Sequence, residues 1–260
     1  MTWLLVVAAV LLWLACGLSG SFALLYRGRQ LRLRERAYGI ETPNLQNISG
    51  GIGAVVGLVI GGILVYYISL NKQAGVIEWV GRASYVMVAA ASGGHILAMT
   101  YALLGALREE AAWRASGGPA HHTLGRRRKQ ALTQLRRSYS DFTELKVRDE
   151  AVVDELVAVL GDGLLSVRRN LNRLPFYGYL GTICGILLMA EELSKINEAT
   201  ESFKVLGSMA HGLGLAFRTT LVALLVYLPL RKWADHLVER VQRLEDDWVR
   251  DRREIQVDGN

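Results

Sequence analysis

Five long apolar stretches, separated by strongly basic segments, dominate the pattern of this 260-residue chain. An α-helix needs about 20 predominantly apolar residues to cross the hydrocarbon core of a bilayer. Stretches of that length cover Thr2–Tyr26, Ser49–Leu70, Ala83–Leu107, Leu174–Ser194 and Val205–Leu230. The pattern predicts an all-α, polytopic integral membrane helical bundle with five transmembrane helices.

The positive residues between these stretches are distributed unevenly, and this predicts the orientation. Alternation through five spans places the segments after the first, third and fifth stretches on one side, with 25 Lys and Arg residues against four on the other. Because cytoplasmic segments carry the excess of Lys and Arg, we expect the N-terminus outside and the C-terminus in the cytoplasm. We expect the first stretch to be a retained span rather than a cleaved signal, since no basic region precedes it.

The polar segments between and after the spans also show helical patterns. The chain divides by composition into a three-span block at 1–107, a cytoplasmic helical segment at 108–173, a two-span hairpin at 174–230 and a cytoplasmic C-terminal helix at 231–260. In the second segment we expect a helix over Arg108–Ala115, a break at Ser116–Pro119, and one or two amphipathic helices over Gln130–Arg169 that continue into the fourth span. In the tail, apolar residues at steps of three and four predict that the fifth span extends as one helix: Trp233, Leu237, Val241, Leu244 and Trp248.

The net charge of +6 needs no nucleic-acid partner, because basic cytoplasmic segments face anionic lipid headgroups. We interpret the run Arg126–Lys129 as a solvated or lipid-facing patch. The two cysteines, Cys16 and Cys184, lie in apolar stretches and are interpreted as packing residues. The enzyme and metal-site motifs that we sought do not occur in the sequence. We therefore expect no enzyme, cofactor or metal site.

Small and polar residues inside the spans are the candidate functional positions. Gly53, Gly57 and Gly61 share one helix face, as do Gly181 and Gly185, and such faces permit close helix packing in lipid. His95 and His211 each lie in a span, where a hydrogen bond between helices is favoured over a proton relay, although His211 stays a possible relay. His121 and His122 stand in a linker and are expected to be solvated.

Two threonines in the last two spans occupy matching depths. Thr182 lies about 12 Å of helical rise from the cytoplasmic start of the fourth span, and Thr220 about 15 Å from the cytoplasmic end of the fifth. Arg218 stands beside Thr220, deep in a span, where a charge needs a polar cavity or a counter-charge. The chain offers no carboxylate in the middle of a predicted span, so we expect a partner subunit to supply one.

The residues around these threonines resemble a known family. The stretch Leu174–Gly185, which reads LPFYGYLGTICG, resembles the P-x-x-G-x-L-G-T-x-x-G segment of the MotA/TolQ/ExbB proton channel family. The stretch Leu215–Ala223, which reads LAFRTTLVA and is followed by Pro229, resembles its A-x-x-T-T-x-x-G…P segment. The resemblance implies a bacterial inner-membrane homopentamer around two single-span ExbD/TolR/MotB-like subunits that carry the ion-binding Asp.

Carried over by motif position, Thr182 and Thr220 line the ion path opposite that Asp, and we place Thr219 and Arg218 beside them. The glycines Gly178, Gly181 and Gly185 and the prolines Pro175 and Pro229 are expected to be helix-packing residues. The implied function is conduction of an ion, H⁺ or Na⁺, for an energy-transducing motor or stator complex.

The chain departs from the family pattern at three points. TolQ- and ExbB-like members have a Glu at the position of Leu215, the last glycine of the second motif is Ala223, and five spans replace the usual three or four. Two other functions stay open: a non-conducting scaffold that recruits partners through its basic cytoplasmic helices, and a secondary transporter. No two-fold repeat of spans supports the transporter.

Overall fold

A computed structural model describes residues 2–39, 42, 44–70, 75–114, 123–139, 142–194 and 202–257. This part of the chain is all-helical and contains no strand. Seven helices follow one another: α1 Thr2–Ala37, α2 Leu45–Leu70, α3 Val76–Arg114, α4 Leu124–Ser138, α5 Phe142–Leu171, α6 Leu174–Leu193 and α7 Ser202–Val257. The predicted break at Ser116–Pro119 and the pair His121 and His122 lie outside the described residues.

Among the described residues, five helices are long and apolar enough to cross a membrane, which agrees with the predicted number of spans. Several of these helices are longer than the apolar stretches. Helix α1 continues to Ala37 through the five Arg residues that follow Tyr26, because its Arg, Leu and Glu residues are good helix formers. It ends just before Gly39, whose φ of +68° lies in the left-handed region that favours glycine.

The predicted amphipathic segment forms two helices, α4 and α5. Helix α5 does not run unbroken into the fourth span as predicted, since Asn172 and Arg173 form a turn before α6 begins. Pro175 then stands in the first turn of α6, where its missing N–H costs nothing. The predicted extension of the fifth span is confirmed, because α7 is one helix that contains Pro229 in its interior.

The described residues form two compact units, and the first comprises residues 1–27, 46–97 and 170–231. Within it, α1 and α2 pack through the glycine face that the sequence predicts. A Cβ built on Gly57 would lie 3.0 Å from the Cα of Gly17, so only glycine permits this approach. The indole Nε1 of Trp13 donates a hydrogen bond of 2.8 Å to the carbonyl of Leu58, which fixes the register of the two helices.

The second unit comprises residues 28–45, 98–169 and 232–260, and its centre holds a buried ion pair. Arg128 is 1% exposed and lies 2.7 Å from the carboxylate of Asp149, which is 0% exposed. It also donates to the backbone carbonyl of Trp248, a fully buried residue of α7. The interpretation of the run Arg126–Lys129 as a solvated or lipid-facing patch is therefore wrong for Arg128, because this side chain is buried against the carboxylate of Asp149.

Candidate functional site

Helices α6 and α7 form a close-packed hairpin in the first unit, and glycines of α6 make the contact. A Cβ built on Gly178 would lie 2.6 Å from the Cβ of Ala223, and one built on Gly185 would lie 2.8 Å from that of Ala216. Any side chain at these glycines would overlap α7. The spacing of three and four residues keeps the glycines on one face, and we call this contact the α6–α7 seam.

The seam brings Thr182 and Thr220 into direct contact. Their hydroxyl oxygens are 2.5 Å apart, and both side chains are half-buried. Thr182 Oγ1 also lies 3.3 Å from the carbonyl oxygen of Ala216 on the opposite helix, and Thr220 Oγ1 lies 3.4 Å from that of Gly178. The equal depth predicted for the two threonines thus becomes a hydrogen-bonded pair across the hairpin.

The chemistry available at this pair is that of two neutral hydroxyls. Each hydroxyl can donate one hydrogen bond and accept two, so the pair can bind water, a cation or a carboxylate. A hydroxyl does not carry a proton as a titrating acid near neutral pH. The pair can therefore line a route for ions, but a group that loads and releases a proton must come from elsewhere.

Thr219, which the sequence groups with the ion path, bonds neither hydroxyl of this pair, although it shares the Ala216 carbonyl with Thr182. It is 1% exposed, and its side chain packs against Gly181. Its hydroxyl is 3.0 Å from the carbonyl oxygens of Leu215 and Ala216, one turn earlier in the same helix. The side chain thus satisfies its hydroxyl within α7 and fills the space opposite a glycine.

Arg218 is not part of the seam, although its charge acts on Tyr85 of α3. Its side chain is exposed on the surface of the single chain. It makes no hydrogen bond or ion pair with any of the described residues. Because an unpaired arginine within a span is expensive in lipid, this exposed surface is expected to meet a polar or negatively charged group.

Leu215 and Ala223, the two positions that depart from the family motifs, are buried apolar residues that each pack against a glycine. Leu215 is buried against Gly81 of α3, where a built Cβ would lie 2.9 Å from its Cδ2 and 3.1 Å from the Cβ of Cys184. Ala223 is fully buried against Gly178, which has no Cβ of its own. A methyl group on α7 is accommodated because the facing residue is glycine.

A charged cluster near the first turns of α3 was missed by the sequence analysis. Glu78 and Arg82 form a buried ion pair one helical turn apart, and Arg82 Cζ lies 4.9 Å from the ring centre of Tyr67 and 5.5 Å from that of Trp79. His211 Nε2 on α7 is 3.3 Å from the carboxylate of Glu78. The expected hydrogen bond between helices is therefore present at His211. The i, i+4 spacing of Glu78 and Arg82 was the available signal.

These features define a multi-pass membrane protein whose last two spans carry a paired polar site. Residues 130–250 match the model of the MotA/TolQ/ExbB proton channel family, so this part of the chain is a domain of that family. The match confirms the resemblance drawn from the two motifs and also takes in most of α4 and all of α5. No curated protein and no solved structure matches the chain.

The family consists of channel and transducer proteins. Its members are proton-channel-type membrane subunits of energy-transducing complexes, and they work together with partner membrane subunits. The matched residues include the whole α6–α7 seam, both threonines and the exposed Arg218.

We expect Gly178→Val to separate α6 from α7. The added side chain would overlap Ala223, and overpacking of this kind costs about 1–3 kcal/mol. The measurement is the thermal unfolding midpoint of the purified protein in detergent. Gly214→Val is the matched control, because a Cβ at Gly214 of α7 would meet nothing within 4 Å. Equal midpoints for the two variants would contradict a seam built on glycine.

Proposed function

We propose that this chain is the ion-conducting subunit of an energy-transducing motor or stator complex in the bacterial inner membrane. Five copies would surround two copies of a single-span ExbD/TolR/MotB-like subunit that carries the ion-binding Asp. The N-terminus would lie outside, and α4, α5 and the end of α7 would lie in the cytoplasm. The family of residues 130–250 and the excess of basic residues in the corresponding segments support this proposal.

The observation that carries the proposal is the contact between Thr182 and Thr220 inside the matched domain. The pair is half-buried, polar and neutral, and its helices are held together by glycines. Leu215 fills the position at which TolQ- and ExbB-like members have a Glu. This chain therefore supplies a polar surface for an ion, and the proposed partner supplies the carboxylate that binds it.

We expect Thr220→Ala and Thr182→Ala each to lower ion flux on the order of ten- to a hundredfold. Removal of one hydroxyl breaks the Thr182–Thr220 hydrogen bond and leaves the other hydroxyl with backbone carbonyls alone. A loss of about 1–3 kcal/mol corresponds to this range of flux. Flux is measured in vesicles that contain this chain and its partner, with a pH-sensitive dye for H⁺ and a Na⁺ indicator in parallel. Thr220→Ser, which keeps the hydroxyl, should retain most of the flux.

Thr219→Val is the matched control for that experiment. Its hydroxyl bonds only carbonyls of its own helix, and valine keeps the shape that packs against Gly181. If Thr219→Val and Thr220→Ala reduced flux equally, a route centred on the Thr182–Thr220 pair would be wrong. If the native complex carried no flux, the non-conducting scaffold would be the better description.

We propose that Arg218 faces the ion-binding carboxylate of the partner or a group close to it. Arg218→Gln should then weaken recovery of a co-expressed single-span subunit with the affinity-tagged chain. Truncation of one member of a buried charge pair costs about 2–5 kcal/mol, which is on the order of thirtyfold or more in affinity. Arg243→Gln, an exposed position of the same helix, is the control. Unchanged recovery with Arg218→Gln would remove Arg218 from the interface.

We propose His211 as a proton relay that exchanges protons with Glu78. The variant His211→Gln can keep a hydrogen bond to the carboxylate, but it cannot take up a proton. A relay predicts that this variant lowers proton flux while the thermal unfolding midpoint stays near the native value. Unchanged flux in His211→Gln would leave His211 with the single role of joining α3 to α7.

A further inference from the structure

A groove lined by arginines lies in the second unit, where the end of α1 meets the start of α4. It has a volume of about 530 Å³. Its cationic side chains are Arg36 of α1 and Arg126 and Arg127 of α4, and they are joined by polar atoms of Tyr38, Thr123 and Gln130. A neighbouring groove of about 570 Å³ shares Arg126 and adds Lys129. Arg126 and Lys129 also have other interactions, so Arg36 and Arg127 are the cations of the groove on which an anion site would depend.

Part of this groove is held in place before any ligand arrives. Arg127 Nη1 donates a hydrogen bond of 2.7 Å to the backbone carbonyl of Tyr38, and its guanidinium carbon lies 5.5 Å from the Tyr38 ring centre. The outer surface of the guanidinium faces solvent, because Arg127 is exposed. An arginine fixed in this way binds a phosphate at a smaller cost in side-chain entropy.

The positions of the two α4 arginines are unfavourable for the isolated helix. Arg126 and Arg127 stand in its first turn, at the positive end of the helix dipole, and that turn contains no acidic residue. The first backbone N–H groups are already used, because Glu109 accepts hydrogen bonds from Leu124 at 2.8 Å and Gly125 at 3.0 Å. An anion in the groove would therefore be held by the guanidinium groups.

The basic groove adjoins a largely apolar cavity. This cavity of about 400 Å³ shares Ala37 and Tyr38 with the groove, and it continues between α1, α3 and α5. Just over half of its lining residues are aliphatic, including Leu31, Val159 and Leu160, and the lining also contains Arg34 and Glu155. A cationic groove next to an aliphatic cavity matches the chemistry of a phosphate headgroup with an attached hydrocarbon chain.

We propose that the groove formed by Arg36, Arg126 and Arg127 is a phosphate-binding site. The phosphate belongs either to the headgroup of an anionic phospholipid, whose chain would enter the aliphatic cavity, or to a free phosphate compound in solution. Basic pockets between helices near a membrane surface recognise lipid phosphates through the same contacts. The proposal does not depend on ion conduction, since every residue that it uses lies outside the α6–α7 seam.

The test uses the full-length chain in lipid nanodiscs. One arm measures by native mass spectrometry how many phosphatidylglycerol molecules stay bound, compared with phosphatidylcholine. The other arm titrates inorganic phosphate into nanodiscs that contain phosphatidylcholine alone. In the double variant Arg36→Gln/Arg127→Gln we expect the preference for phosphatidylglycerol to disappear, or the dissociation constant for phosphate to rise about tenfold or more.

The control is Arg136→Gln/Arg137→Gln, which removes the same charge from the exposed last turn of α4. The single variant Arg36→Gln leaves the Arg127–Tyr38 contact intact. It replaces the double variant in both arms if the double variant fails to fold. Loss confined to the groove variants supports the site, and the arm in which it occurs identifies the source of the phosphate. Absence of selective binding in both arms, or equal loss in the control, would overturn the proposal.

Discussion

The close approach of α6 and α7 is the constraint on which the candidate site depends. In lipid, the hydrophobic effect does not drive two apolar helices together, so their contact depends on packing and on hydrogen bonds between them. Gly178 and Gly185 remove the side chains that would keep the backbones apart. Only at this separation can the hydroxyls of Thr182 and Thr220 lie 2.5 Å from each other and within reach of carbonyls on both helices.

The packing around the seam also limits where a charge can lie in the first unit. A carboxylate at the position of Leu215 would be buried against Gly81 and Cys184, two small residues with little polarity, and a buried charge without partners is costly. One acid near this hairpin is Glu78 of α3, which is paired with Arg82 and bonded to His211, and two others, Glu191 and Glu192, stand at the end of α6. The hydroxyl pair therefore has no charged group of its own. This is consistent with a family whose members work together with partner subunits.

The features that were predicted well from the sequence depend only on residues close together in the chain. The number of spans follows from apolar length, the extension of α7 from its spacing of apolar residues, and the similar depth of Thr182 and Thr220 from helical rise. The features that sequence missed depend on distant partners. Arg128 stands in a run of four basic residues, and nothing local distinguishes it, yet Asp149, 21 residues later, makes it a buried residue. For Glu78 the sequence offers only the i, i+4 spacing to Arg82, and the contact with His211 depends on a helix 133 residues further along the chain.

The three consecutive residues 218–220 show why a motif alone could not assign their roles. Successive residues of an α-helix point about 100° apart. Three consecutive residues of a motif therefore face three different sides of the helix. Thr219 faces the glycine seam, Thr220 reaches Thr182, and Arg218 lies on the exposed surface. Because one turn of α7 carries all three, a small rotation of that helix would displace the hydroxyl pair and the exposed charge together. The tight contact of Gly178 with Ala223 therefore orients both groups, although neither residue touches an ion.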